Sequence, residues 1–366
     1  MSPCRGATPS LFPALPPRLV PTPLMVRAAV GPTIVRDVAA CAVTIATGAP
    51  EEAAASLAAL CARPPIDAVR SGVANGRWRS VSTRPDADTN GHDHFFRIQR
   101  IAGPNSAVFL HSILLAASLF NAERAAEPEQ RSRSFGAVAA GFAALLGHLA
   151  GATTAPIGLA EELAPAGASS CVPAFRWIIG HQVFAALTQG LIMALHDFEA
   201  AIAGGDDEAA GSALALAADL LLASASAFRF ACDFPPEAYR DVIRPSMMPP
   251  HVAEGFSGLL SYDHRYLVQL LTRLRPLMAE GEARFPTAHA RLTLALERVY
   301  DDHKFICARF GGAEAPSLRG RTCSHLSGVE QLETYRRARL RLLRPATPDN
   351  GAGEDWTGDG SIGPIE

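Results

Sequence analysis

The sequence predicts an all-α fold, and three of its features point to that class. Ala and Leu, the strongest helix formers, recur in long runs, whereas the residues that favour strands are sparse. Hydrophobic residues make up 48% of the chain and aromatic residues only 7%. Short segments rich in Pro and Gly, which end helices, separate the long apolar runs. We therefore expect long helices that pack on one another.

The expected helices follow one another from residue 34 onward. Residues 34–62 divide into two helices at the turn signal GAP. After a loop-rich stretch at 63–91, an Asn/Asp cluster is suited to cap a helix that begins near Asp93, runs through HFFRIQRIA and is interrupted at Gly103-Pro104. Further helices are predicted at about 105–126, 132–152, 172–203, 207–231, 257–280, 286–311 and 329–343.

The helices are expected to form one domain over residues 34–345. Residues 1–33 are rich in Pro and small residues, which predicts a disordered N-terminal segment. Residues 346–366 are polar, Gly-rich and acidic, which predicts a disordered tail. The stretch 232–250 contains too many prolines for one helix and is expected to be a structured loop.

Charge, cysteine usage and hydropathy argue against several classes of protein. The formal net charge of -3 leaves no basic field to bind nucleic acid. The seven cysteines form no Cys-x-x-Cys pair and are odd in number, which is typical of a reducing cytoplasm. No uninterrupted apolar run reaches the ~20 residues needed to cross a bilayer. We expect a soluble, cytoplasmic protein that binds neither nucleic acid nor membrane, and the sequence leaves a homo-oligomer open.

The segment RVYDDHKFICARFGG carries the most informative chemical pattern. On a helix, His303 and Cys307 are one turn apart on one face. Imidazole is the commonest axial ligand of haem iron, and a thiol one turn away could reach a vinyl group at the porphyrin edge. The pattern is not the Cys-x-x-Cys-His site of c-type cytochromes. Taken alone, such a spacing more often belongs to a surface histidine beside an unrelated core cysteine.

A second histidine lies in the segment SYDHRYLVQLL. His264 follows Asp263 in the first turn of an apolar helix, between Tyr262 and Tyr266. A histidine at a helix start is more often bonded locally. It could instead provide a second imidazole for the opposite axial position.

A third histidine segment is NGHDHFFRIQR. His92 and His94 flank Asp93, and Arg97 and Arg100 follow at helical spacing. An arginine in an apolar pocket is a natural partner for a carboxylate, although solvated charges at a helix start are the commoner case. His-x-His could also bind zinc, but no second cluster of ligands completes a tetrahedral site. The sequence contains no nucleotide-binding motif (GxGxxG after a strand, or a P-loop) and no hydrolase motif (GxSxG or HExxH).

Together these segments resemble a known family. HKFICARFGG, followed by the Gly/Ser-rich GRTCSHLSG, resembles the proximal haem region of tryptophan 2,3-dioxygenases, and HDHFFRIQR resembles their distal helix. The wider group is the histidine-ligated haem-dependent aromatic oxygenases, which includes tyrosine hydroxylases of natural-product pathways. This chain has Ile98-Gln99-Arg100 where those dioxygenases have a Thr-His-Gln context. The resemblance therefore favours phenol hydroxylation over indole cleavage.

Within this group, the chain is similar to the 3-methyltyrosine hydroxylases (peroxygenases) of saframycin-type biosynthesis, which carry a histidine, a spacer and then His-x-x-x-Cys. His264, His303 and Cys307 match that pattern. The resemblance covers roughly residues 90–330. It implies a tryptophan 2,3-dioxygenase-like helical fold and a b-type haem attached by a single thioether at Cys307, with His303 as the permanent iron ligand and His264 as the second.

The resemblance also implies an activity. The expected reaction is the hydroxylation of 3-methyl-L-tyrosine to 3-hydroxy-5-methyl-L-tyrosine by hydrogen peroxide, in antibiotic biosynthesis. His94 is the first candidate for the general acid–base group and His92 the second, and Arg97 or Arg100 would bind the carboxylate of the amino-acid substrate. The alternatives are a tyrosine or tryptophan oxygenase that uses dioxygen, a non-catalytic bis-His haem carrier or sensor, and a colourless helical scaffold.

Overall fold

The protein has the all-α fold that the sequence predicts. The computed structural model describes residues 10–69, 72, 79–80, 91–127, 135–152, 172–254, 256, 261–311 and 327–344. The helices in this part of the chain are α1 (Pro23–Thr47), α2 (Pro50–Cys61), α3 (His92–Phe95), α4 (Asn105–Ala125), α5 (Gly136–Ala150), α6 (Pro173–Gly204), α7 (Asp207–Ala231), α8 (Tyr262–Arg284), α9 (Pro286–Gly311) and α10 (Gly328–Leu343). Most predicted helices are confirmed to within a few residues at each end.

The Pro-rich stretch between α7 and α8 is a structured connection, as expected. It contains a short helical segment (Pro236–Ala238), a π turn (Tyr239–Ile243) and a further helical segment (Arg244–Ser246). The prolines at its start and at position 245 occupy early helix positions, where the missing N–H costs no hydrogen bond. The predicted Gly-rich loop before α10 and the acidic tail at 346–366 lie almost wholly outside the described residues.

A small three-stranded sheet differs from the helix expected through HFFRIQRIA. The helix ends at Phe95, and β3 (Ile98–Ala102) pairs in parallel with β1 (Phe12–Ala14) and antiparallel with β2 (Arg79–Ser80). Arg97 has a φ of 57°, a left-handed conformation that cannot continue a helix. The β-branched side chains of the segment then favour an extended backbone.

The prediction that residues 1–33 are disordered is wrong for residues 10–33. Phe12 and Leu15 are fully buried, and the backbone N–H of Phe12 donates to the carbonyl of Arg97 at 2.7 Å. The prolines that suggested disorder serve as structural breaks, because Pro23 takes the first position of α1 directly after the capping residue Thr22. This segment therefore forms part of the packed core.

The centre of the fold is the pair α6 and α7, on which α9 packs. The two central helices approach closely where Gly180 of α6 faces Ala231 of α7. A Cβ placed on Gly180 would lie only 2.2 Å from the Cβ of Ala231, so the backbones contact each other there. This close packing fixes the relative positions of the helices that line the candidate site.

Within the described part of the chain, four helices are long and apolar enough to cross a membrane, judged by length and composition alone: Pro23–Thr47, Asn105–Ala125, Pro173–Gly204 and Asp207–Ala231. This differs from the expectation that no apolar stretch is long enough. In the last three, 67% to 83% of the apolar stretch is buried inside the protein, so core packing accounts for their composition. In the first helix only 33% is buried, and Leu24 and Val43 are exposed.

Candidate active site

A cavity of about 270 Å³ lies between α6, α7, α8, α9 and α10. The three residues of the predicted ligand set, His264, His303 and Cys307, all line it. Most of its wall is apolar or aromatic. The described structure therefore brings together residues from two separate helices, of which His303 and Cys307 were selected by helical spacing and His264 by the family pattern.

Local structure explains how the two predicted ligand histidines reach this cavity. On α9, His303 lies one turn before Cys307, and its ring stacks on Phe228 of α7 with centroids 5.0 Å apart. On α8, the hydroxyl of the N-cap residue Ser261 accepts a hydrogen bond from the backbone N–H of His264 at 3.1 Å. The cap sets the start of α8 and so the direction in which His264 projects.

The buried environment keeps these side chains uncharged. Burial lowers the pKa of His303 to about 4. Burial, together with the nearby positive charge of Arg339 and the imidazoles of His303 and His92, lowers the pKa of His264 to about 3. Burial raises the pKa of the Cys307 thiol to about 11. At neutral pH the cavity thus presents neutral imidazoles and a protonated thiol.

The structure separates the two histidines of the third segment. His92 is 4% exposed, lines the cavity and packs against Phe96 and Phe256. His94 is exposed and is absent from the cavity lining. The sequence-based preference for His94 over His92 is therefore reversed. His92 and His94 are two residues apart on the short helix α3. Residues at that spacing lie on nearly opposite faces of a helix, so the two side chains project in different directions.

The geometry contradicts the prediction that Arg100 binds a substrate carboxylate. Its guanidinium is buried and forms hydrogen bonds to both oxygens of Asp93, at 2.7 and 3.1 Å. It also donates to Asp263 at 2.9 Å and to the carbonyl of Leu15 at 2.9 Å. Although burial opposes ionisation, the Arg100 charge holds the pKa of Asp93 well below its ordinary value. All of the binding capacity of Arg100 is used inside the protein.

Arg97 also lies away from the cavity lining. It is half-buried at the turn between α3 and β3, where its left-handed backbone directs the chain from helix to strand. The helical spacing of Arg97 and Arg100 from which the prediction started does not exist, because the segment is not helical beyond Phe95.

Several residues of the cavity escaped the sequence interpretation. His181 lines it, and its ring lies 3.8 Å from that of Phe96 in a parallel stack. Burial lowers the pKa of His181 to about 3. Trp177 and Arg244 also line the cavity. The two residues on α6 belong to a continuous apolar helix, so the sequence offered no sign of a ligand-facing side.

Among the described residues, no group of three or more His, Cys, Asp or Glu side chains is arranged to hold a metal ion. The histidines of the cavity are spread along its walls on α3, α6, α8 and α9. The arrangement therefore fits a ligand large enough to contact several walls better than a bare ion.

Comparison with known proteins identifies relatives of this chain. The family model described as SfmD 3-methyl-L-tyrosine peroxygenase matches residues 15–290. A 3-methyl-L-tyrosine peroxygenase of Streptomyces lavendulae is 32% identical over 270 residues, which cover 72% of this chain and 73% of that protein. The matched family region contains His92, His181 and His264 but ends before His303 and Cys307.

A solved structure supports the same relationship. The crystal structure of reduced SfmD, obtained by soaking with sodium hydrosulfite, superposes with a TM-score of 0.61 at 26% identity, covering 81% of this chain and 97% of that chain. The structural match confirms the helical fold, and the family model covers well over half of the chain. This chain belongs to the SfmD 3-methyl-L-tyrosine peroxygenase family.

Proposed function

We propose that this protein is a haem peroxygenase that hydroxylates 3-methyl-L-tyrosine next to its phenol hydroxyl. One oxygen of hydrogen peroxide would enter the ring to give 3-hydroxy-5-methyl-L-tyrosine, and the other would leave as water. The observation that carries the proposal is the meeting of His264, His303 and Cys307 in one apolar cavity of a chain from this family. As the family resemblance implies, the enzyme would act in antibiotic biosynthesis.

The donor set of the cavity fits a haem group. A porphyrin supplies four nitrogen ligands to its iron, so it needs only one or two neutral imidazoles from the protein, and His303 and His264 would provide them. Cys307 is a protonated thiol rather than a thiolate, which fits a thioether to a vinyl group better than direct ligation of iron. When bound, haem would supply the activation of peroxide and the transfer of oxygen to the ring.

His303 is the better candidate for the permanent ligand, because it shares a helix face with the proposed tether at Cys307. His264 comes from a different helix, α8, and lies in its first turn. His264 would be the second residue to hold the haem, and its place at a helix start is compatible with a movement of its side chain during turnover.

His92 would move protons in the cavity. Its Nδ1 lies 3.4 Å from a carboxylate oxygen of Asp93, which favours the tautomer with hydrogen on Nδ1 and a free electron pair on Nε2. Asp93 is itself held by Arg100. The His92 Nε2 atom would accept the proton of the incoming peroxide or of the phenol.

We also propose a cytoplasmic enzyme that handles small molecules only. The described cysteines Cys41, Cys232 and Cys307 are free thiols, which is typical of a reducing compartment. The substrate and peroxide are both small enough to enter a cavity of this kind.

The proposal can be tested with the purified full-length chain. 3-Methyl-L-tyrosine is incubated with ¹⁸O-labelled hydrogen peroxide, and the product is analysed by mass spectrometry. We expect 3-hydroxy-5-methyl-L-tyrosine with one labelled oxygen, and little product when peroxide is replaced by dioxygen without a reductant. A haem protein that forms no hydroxylated product would instead be a carrier or sensor. Label-free product would indicate a dioxygen-dependent oxygenase.

A further inference from the structure

The π turn Tyr239–Ile243 brings two polar side chains to one end of the cavity. The backbone N–H of Arg244 donates to the carbonyl of Tyr239, five residues earlier, which is the hydrogen-bond pattern of a π turn. Tyr239 and Arg244 both line the cavity as a result. Turns of this kind are rare and occur frequently at functional sites.

Arg244 differs from Arg100 in its charge balance. The charge of Arg100 is balanced by two aspartates, whereas no carboxylate pairs with Arg244 in the part of the chain that the structure describes. Burial raises the pKa of the Tyr239 hydroxyl, and the positive charge of Arg244 lies close enough to lower it by a smaller amount. A guanidinium can only donate hydrogen bonds, and the Tyr239 hydroxyl can donate its own hydrogen, so both groups can serve a bound acceptor.

Trp177 adds a further donor beside them. Its ring lies against that of Tyr239, with centroids 5.9 Å apart and the planes 66° from parallel. The indole N–H is buried and has no hydrogen-bond partner among the described residues. A buried N–H without a partner costs free energy, which a bound acceptor would recover. Phe310 stacks on Tyr239 at 4.6 Å, so this end of the cavity has aromatic walls.

We propose that Arg244, the Tyr239 hydroxyl and the Trp177 indole N–H form the subsite that binds the α-carboxylate of the aromatic amino-acid substrate. The three groups are donors, one is cationic, and a carboxylate is the acceptor that such a set favours. The inference rests on the proposed function and replaces Arg97 and Arg100 as the predicted anchors.

A haem propionate has the same chemistry and is the competing occupant. The position of the subsite favours the substrate. Tyr239 stacks on Phe310, which lies about one helical turn after Cys307 on α9. Cys307 would hold a vinyl group, and the vinyl and propionate groups stand on opposite edges of the porphyrin. A subsite near the tether is therefore far from the propionates.

The test compares two ligands by equilibrium binding, measured by titration calorimetry on the haem-loaded full-length protein without peroxide. The ligands are 3-methyl-L-tyrosine and its decarboxylated analogue, 3-methyltyramine. In Arg244→Gln we expect about 10- to 100-fold weaker binding of the amino acid and unchanged binding of the amine. Arg240→Gln is the matched control, since Arg240 is exposed, pairs with Asp241 and lies outside the cavity.

Two further variants keep the test decisive if Arg244→Gln folds poorly. Trp177→Phe retains an aromatic ring but loses the donor, and should weaken binding of the amino acid several-fold while sparing the amine. Arg244→Lys should recover part of the lost affinity. Equal effects on both ligands, or no effect on either, would overturn the proposal.

Haem retention distinguishes a haem propionate from the substrate carboxylate as the occupant of the subsite. If Arg244→Gln loses haem while its preference for the amino acid over the amine is unchanged, the subsite binds a propionate and the proposal is wrong. Binding selectivity is also independent of turnover. A wild-type protein that binds the amino acid in preference to the amine but does not hydroxylate it would contradict the proposed function. The proposed carboxylate subsite would still be supported.

Discussion

Arg100 and Asp263, 163 residues apart in the chain, form a buried ion pair with the arginine Nη1 2.9 Å from the aspartate Oδ1. The same arginine holds Asp93 at 2.7 Å. Asp93 directly follows His92, and Asp263 directly precedes His264. One buried cation therefore links the backbone segments that carry two of the cavity histidines.

The first prediction concerns this link. In Arg100→Gln, two buried carboxylates lose their common partner, and the free energy of unfolding should fall by about 3–5 kcal/mol. The measurement is urea unfolding at pH 7, with Arg240→Gln as an exposed control whose stability should change by less than about 0.5 kcal/mol. An Arg100→Gln protein as stable as its control would mean that the ion pairs contribute nothing to the fold.

The second prediction concerns pH. His181 has a folded-state pKa of about 3 because of burial, and an unfolded value of about 6.5. Below pH 6.5 the unfolded chain gains a proton that the folded protein excludes, so stability falls as pH drops towards the folded pKa. Between pH 7 and 5, wild type should lose about 1–2 kcal/mol more than His181→Gln. Parallel stability curves for the two proteins would show that His181 titrates normally.

The third prediction separates the two histidines of the NGHDHFFRIQR segment. His92→Phe should keep its haem but lose about 10²- to 10⁴-fold in turnover number, because the acceptor nitrogen is lost while the ring volume is retained. His94→Gln is the matched control and should behave as wild type, since His94 is exposed. Steady-state rates with peroxide and 3-methyl-L-tyrosine decide the point. If only the His94 variant lost activity, His94 and not His92 would be the general acid–base group, as the sequence predicted.

The fourth prediction compares the proposed iron ligands. His303→Ala should show an altered visible spectrum and weakened haem binding, with partial recovery on addition of imidazole. His264→Ala should keep its haem and show an open iron position that binds cyanide faster than in wild type. The readouts are absorption spectra and the rate of cyanide binding. If the His264 variant were to lose haem while the His303 variant retained it, the two roles would have to be exchanged.

Local patterns made much of the fold predictable from the sequence. Helix formers, Pro and Gly placed the helices at 172–203, 207–231 and 286–311 close to their observed ends. The sequence interpretation failed where tertiary contacts decide the conformation. The strand Ile98–Ala102 exists because it pairs with residues far away in the chain, at Phe12–Ala14. No local pattern carries that information.

In the candidate site, too, local patterns predicted some residues, and tertiary structure decided the others. His303 and Cys307 could be paired by helical spacing, and His264 by the family pattern. Arg244 could not be found in this way, because its approach to Tyr239 depends on a π turn rather than on helical periodicity. His94 and Arg100 were favoured as residue types, but only the tertiary structure shows that one is exposed and the other neutralised.

The central claim is that Cys307 tethers a haem in this cavity, and the intact mass of the denatured protein tests it most directly. The wild-type chain should carry the added mass of one haem, Cys307→Ala should show the mass of the polypeptide alone, and Cys232→Ala, a control that changes another thiol lining the cavity, should retain the added mass. A wild-type protein with the mass of the bare polypeptide, or a Cys307→Ala variant that still carries covalent haem, would contradict the account.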